Sequence, residues 1–362
     1  PGGPDAPAAA ARSRAPGPGG AMTGYILRRL LTMPLLLLGV ATAAFFLSQV
    51  TKADPLSAVV GERQMNNPEI VAAAKARWGL DRSVPERYVI YITNLAQGDF
   101  GTSFRTRRPV AEDIAARLPA TLELVLFAMV FGVTSGVALG VAAAHRRDSW
   151  IDHGARLFAL IGSSMPVFWT GLILLYLLSV VLGWLPGPGR MDARAAFDPG
   201  PTGFHTLDAA LAGDWRRLGM ALSHLVLPAF VLGWAVTGII SRLVRGSMLD
   251  VLEQDYVRTA RAKGAGERRV LFGHALRNAM IPTLTIIGHS FAYLITGAVL
   301  TETIFAWPGI GSYAVDSART LDHPAIIGVT LVGAAAFLLS NLATDIAYAV
   351  FNPRIEYGGG RG

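Results

Sequence analysis

Stretches of about twenty apolar residues recur along this chain, and they leave it few ways to fold. They run at about 30–50, 119–142, 157–182, 222–240, 284–303 and 325–350. A helix of roughly 20 apolar residues spans the hydrocarbon core of a bilayer. Inside that core every backbone N–H and C=O must find its partner within the structure, which in a chain like this means helices. Hydrophobic residues make up 52% of the sequence and charged residues only 16%. A soluble globular domain does not look like this. The expected fold class is therefore an all-α polytopic membrane protein with six transmembrane helices. Residues 1–21 are Pro, Gly and Ala with two arginines; they cannot bury a core and read as disordered. Residues 22–357 form the membrane domain, and 358–362 a short tail.

Charge sets the expected orientation. The formal net charge is +7. Basic residues cluster at Arg28-Arg29, from His145-Arg146-Arg147 to Arg156, and from Arg242 and Arg245 onward. Short loops rich in Lys and Arg stay on the cytoplasmic side. Both termini are then cytoplasmic, with 51–118 and 183–221 outside. Met22 reads as a translation start. The apolar run after Arg29 is too long for a signal peptide and reads as an uncleaved first span. Pro34 lies near its start, where a proline costs least. Ser163-Ser164-Met165-Pro166 predicts a kink in the third span. Glu123, one turn inside the outer end of the second, need not be fully desolvated. The turn Lys52-Ala53-Asp54-Pro55, then Gly79-Leu80-Asp81, and Asn352-Pro353-Arg354 at the end punctuate the rest.

The chain has no cysteine, which excludes disulfides, thiolate metal sites and cysteine nucleophiles together. No Gly-x-x-x-x-Gly-Lys-Ser/Thr loop occurs, so ATP is not expected to bind through a P-loop. There is no His-Glu-x-x-His. No catalytic set, cofactor site or metal site is apparent.

The most informative polar stretch is Asp255 to Pro282, caught between two apolar runs within the inner segment 242–282. It reads as two short helices with a break. Tyr256, Val257 and Ala260 share one side of the first. Lys263 then Gly264 suggests a last turn closed by a left-handed glycine. Glu267 opens the second helix, where an acid favours the N-terminal dipole. Val270, Leu271, His274 and Leu276 form its buried side, and Pro282 marks re-entry into the membrane. An ordinary basic loop would share this composition; a stiff docking element would also need the break.

Thr259-Ala260-Arg261-Ala262-Lys263-Gly264, followed by His274-Ala275-Leu276-Arg277-Asn278-Ala279 and Pro282, resembles the cytoplasmic coupling loop of ABC importer permeases of the dipeptide/oligopeptide/nickel branch. The resemblance extends from Met22 to Tyr357. The first position of the generic loop motif, a Glu, is Arg258 here. What the resemblance implies is the type I (MetI-like) permease fold in the cell membrane, with no catalysis by this chain. It further implies a second permease subunit, two ATPase subunits that bind the ATP, and an external substrate-binding protein delivering peptides. Nickel or another small solute is the alternative cargo. A stand-alone secondary transporter is the alternative class, and it would want inverted repeats or a mid-membrane acidic pair. Tyr256, Ala260, Ala262, Lys263, Gly264, Arg277, Asn278 and Pro282 are the expected ATPase-coupling residues.

Two further groups stand out. Glu302, Phe305, Pro308 and Gly309 lie in the outer turn after the fifth span and read either as an outer gate or as a turn capped by Trp307 at the interface. Asn341 and Asp345, four apart in the sixth span, share a helix face. They read as a functional intramembrane pair or, preferably, as interhelical packing. His289 is a lone intramembrane histidine.

Overall fold

A computed structural model describes residues 18–50, 67–69, 71–72, 81–192 and 200–351. The chain is helical. In order it forms α1 (Pro18–Val50), α2 (Val84–Ala96), α3 (Val110–His145), α4 (Trp150–Ser164) and α5 (Val167–Leu175), the last running on into a wider π turn, Tyr176–Val181. Then come α6 (His205–Leu211), α7 (Trp215–Leu252), α8 (Asp255–Ala262), a second π turn (Arg269–Ala275) continuing into α9 (Leu276–Ile304), α10 (Ile310–Arg319) and α11 (His323–Phe351). Among the described residues five helices are long and apolar enough to cross a membrane, and the pair α4 and α5 makes up to a sixth.

The centre is the packing of α3 against α7, with α9 laid on both. Leu124, Val125, Leu225, Leu232, Val236, Ile240 and Leu294 are buried there. Lipid tails are as apolar as leucine, so close packing has to hold such helices together. Three glycines four residues apart provide it. A Cβ on Gly132, Gly136 or Gly140 would lie 2.9, 2.8 and 2.7 Å from the Cβ of Val236, Ile240 and Val244 respectively. Each glycine is thus the hole for one β-branched knob of α7. On the other face of α7, Gly238 lies against the Ala159 carbonyl of α4, and the Trp234 indole donates to the Phe158 carbonyl at 3.1 Å.

Several expectations are corrected. Helix α1 begins at Pro18, so residues 18–21 are helical rather than disordered; residues 1–17 lie outside the described residues. Pro34 sits well inside α1, not near its start. Helix α3 begins at Val110, so residues 110–118, read as loop, are its first turns. The third span is not one kinked helix: α4 and α5 meet at 107°. Pro166 removes the amide that would continue α4, and Ser163 donates back to the Leu160 carbonyl at 3.3 Å. The fourth span is one 38-residue helix, and the fifth starts at Arg269 with Pro282 inside it. The turn at 52–55, Gly79-Leu80, Asn352-Pro353-Arg354 and the tail 358–362 fall outside the described residues.

Polar contacts sort into two ends. At one, Arg29 pairs with Asp345 at 2.8 Å, Arg245 with Asp152 at 2.7 Å, and Arg147 with Glu253 at 3.9 Å. At the other, Ser103 donates to the buried Asp322, which also accepts from the amides of Phe104 and Arg105 at 3.0 and 3.2 Å. Asp322 thereby fastens the loop after α2 to the start of α11.

Candidate functional site

The polar stretch after α7 folds into a rigid corner. Gln254 starts α8 and Lys263 ends it. Gly264 follows with φ +82°, a left-handed conformation that glycine adopts without cost. The Gly264 amide donates to the Arg261 carbonyl at 2.9 Å and the Ala265 amide to the Ala260 carbonyl at 3.1 Å. That pair of bonds is the Schellman closure of a helix end. The chain resumes helix at Glu267, as the sequence suggests, and runs on without a break into α9.

Side chains lock the bend. The Arg261 guanidinium grips Glu267 through two bonds, at 2.9 and 3.3 Å. This hydrogen bond holds the Glu267 carboxyl below its usual range. His145, the last residue of α3, lies 3.8 Å from the same carboxylate. The Asn278 amide donates to the Tyr256 hydroxyl at 2.7 Å, tying the first limb to the second. Val257, Val270, Leu271 and Ala275 are fully or nearly buried beneath. His274 and Leu276 are only half-buried.

Of the residues expected here, Tyr256 and Asn278 are therefore brought together as an internal brace. Ala262, Lys263, Gly264 and Arg277 are exposed and Ala260 is half-buried. Pro282 is exposed on α9, about four turns past Glu267, and cannot donate to the Asn278 carbonyl.

One buried carboxylate nearby was not singled out in the sequence. Asp152 is wholly buried, accepts from Arg245 at 2.8 and 2.7 Å and from the Asp148 amide at 3.0 Å, and pairs with Arg156 at 3.3 Å. It joins the start of α4 to α7 just above the corner. Its signal is Ser149-x-x-Asp152, the spacing of a helix start; the Ser149 hydroxyl accepts from the Asp152 amide at 3.4 Å.

The outer turn is a knot. Glu302 has no exposed surface; it accepts from the Thr121 hydroxyl and from the Ser312 amide at 2.9 Å. A Cβ on Gly309 would lie on its carboxylate. The Ile310 amide donates to Thr121 at 2.8 Å. Trp307, expected at the interface, is buried, with its indole donating to the Ala120 carbonyl at 2.8 Å. Glu302, Phe305 and Gly309 face the interior of this single chain and only Pro308 is exposed, so the first three do not line an opening in this conformation. Glu123 is buried rather than partly solvated: it holds Arg190 together with the Thr206 amide and hydroxyl at 2.8 and 2.7 Å. That partner lies in the Gly/Pro-rich loop before α6. Asp345 pairs with Arg29, joining α11 to α1; Asn341 is half-buried beside it. His289 is exposed and bonds only its own helix, at the Thr285 carbonyl.

Known proteins share this chain along almost its whole length. Residues 136–357 match the model of the binding-protein-dependent transport system inner membrane component, and residues 22–125 match the N-terminal model of the same membrane components. The di/tripeptide transport system permease protein DppB of Pseudomonas aeruginosa is 45% identical over 93% of this chain and 99% of its own. The dipeptide permease DppB of Escherichia coli K12 is 41% identical over 93% and 99%. The oligopeptide permease AppB of Bacillus subtilis is 40% identical over 93% and 100%. The chain belongs to the family of inner-membrane components of binding-protein-dependent transport systems, and is a multi-pass permease subunit rather than an enzyme.

Proposed function

We propose that this chain is one of two permease subunits of an ABC importer for di- and oligopeptides, with the corner from Asp255 to Asn278 as the seat of an ATPase subunit. The observation that carries the reading is the double lock on that corner, Arg261 to Glu267 and Tyr256 to Asn278. A loop that only connects two spans has no use for a bend that holds its shape; a part that transmits force does. The corner grows out of α7 and continues into α9, two helices of the central packing, so a push on it is a push on the core. ATP binds and hydrolyses on the partner subunits, and this chain carries no cofactor. Two such ATPases, a second similar permease and an external binding protein complete the machine. The names of the relatives support peptides as the cargo. The corner and both termini are cytoplasmic in this reading, which the basic residues at 28–29, 145–147 and 258–277 support. The change of state is a movement of packed helices between discrete arrangements.

The test is Gly264→Val in the complete transporter. A β-branched residue opposes φ +82°. The variant inserts normally and loses ATP-driven uptake of a labelled dipeptide, whereas Gly264→Asn, which tolerates the left-handed region, keeps most of it. Normal uptake by Gly264→Val removes the coupling role, and uptake by the isolated chain without ATPases removes the importer reading.

A further inference from the structure

Phe272 is the one large apolar side chain on the second limb of the corner that the fold leaves uncovered: it is 59% exposed, while its neighbours Val270 and Leu271 are buried. Cations share its limb. Arg268, Arg269 and Arg277 are exposed on the same limb, and no ion pair among the described residues engages them. From Gln254 to Asn278 the sequence carries Arg258, Arg261, Lys263, Arg268, Arg269 and Arg277 against only Asp255 and Glu267, and Glu267 is already held by Arg261.

We infer that Phe272 is the anchor of the ATPase contact, seated in an apolar pocket of the partner whose rim is acidic. This rests on the corner being the ATPase seat. A few side chains carry most of the energy of protein interfaces, and aromatics and arginines are enriched there. Holding the limb rigid also lowers the entropy lost on docking. Lipid is the weaker occupant. The apolar part of α9 begins at Ala279, so Phe272 stands about 10 Å of helix below it at ~1.5 Å per residue, with Arg277 and Asn278 between. An acidic rim explains why the limb keeps three arginines without ion pairs: they find counter-charges when the partner arrives, and the attraction speeds the encounter.

The chain has no cysteine, so Phe272→Cys places a single thiol there. In nanodiscs, maleimide labels this thiol rapidly in the permease pair alone, and roughly tenfold more slowly once the ATPase subunits are bound. Phe272→Ala weakens ATPase binding tenfold or more. Phe272→Leu restores most of it, and Leu36→Ala on the exposed face of α1 changes nothing. Arg268→Glu with Arg269→Glu weakens binding and flattens its dependence on salt. If ATPase subunits co-purify and yet labelling is unprotected and Phe272→Ala binds normally, the anchor is wrong while the seat stands. If protection follows anionic lipid instead of ATPase, the contact is with the membrane and the inference falls. If no ATPase binds the wild-type pair at any salt concentration, the reading beneath it fails first.

Discussion

Gly136→Ala adds one methyl group to the close contact between α3 and α7, and its cost can be worked from the packing. The new Cβ would stand 2.8 Å from the Cβ of Ile240 and 3.1 Å from the Thr237 carbonyl oxygen. That is about 0.6 Å short of the closest ordinary carbon contact, and neither neighbour can rotate away, because one is a branch point and the other is backbone. Helices α3 and α7 have to part along their length, loosening the fit at Gly132 and Gly140 as well. Overpacking of this kind costs about 1–3 kcal/mol. Against it stands the ordinary gain of roughly 0.5–1 kcal/mol when alanine replaces glycine inside a helix. Gly154 in α4 and Gly219 in α7 isolate that gain, since a Cβ there meets nothing within 4 Å. The same substitution should therefore have opposite signs: a lower unfolding midpoint for Gly136→Ala and Gly140→Ala, an equal or higher one for Gly154→Ala and Gly219→Ala. Unfolding in mixed micelles, followed by tryptophan fluorescence, reads the difference. Equal midpoints for Gly136→Ala and Gly219→Ala would refute the argument that these glycines exist for close approach.

Two other substitutions probe the polar joints. Asp152→Asn leaves Arg245 half-enclosed without its counter-charge, and removal of one partner of a buried pair costs about 3–5 kcal/mol; the expected result is a large fall in the thermal midpoint, and an unchanged midpoint would mean that water already serves Arg245. His205, next to the buried Glu123 and Arg190 pair, has its pKa pushed down to about 4, mainly by burial. The folded state then favours the neutral ring. Its contribution is complete above the unfolded value near 6.5 and is lost as pH falls toward about 4. His205→Gln should flatten the loss of thermal stability across that window, and identical acid profiles for the two proteins would count against it.

What the sequence displays well is anything decided locally. Lys263-Gly264 announces a helix end because only glycine sits easily at positive φ, and it ends α8 as expected. Apolar length announces the spans. Pro166 marks where α4 must stop, since the missing amide is a property of one residue. The angle of 107° that follows is set by how α5 packs on Leu227, Val231 and Phe305, which no neighbouring residue encodes. Span ends fail for a related reason. Residues 110–118 carry Glu112, Asp113 and Arg117 and look like loop, yet nothing there breaks a helix, and Tyr313 bonds Asp113 at 3.1 Å from the far end of the chain. Glu123 and Glu302 misled in the same way. Their partners, Arg190 and Thr121, are 67 and 181 residues distant, and until they are known Glu123 looks solvated and Glu302 looks like part of a gate.

The length of α7 has a mechanical consequence. Its 38 residues make a rod of about 57 Å at ~1.5 Å per residue, nearly twice the ~30 Å of hydrocarbon it crosses. A tilt of only about 5° about its outer end therefore carries the inner tip through about 5 Å, close to the rise of one helical turn. Amplification of that size means a partner on the inside needs a stroke of a few ångströms, while the helices at mid-membrane shift by roughly half as much.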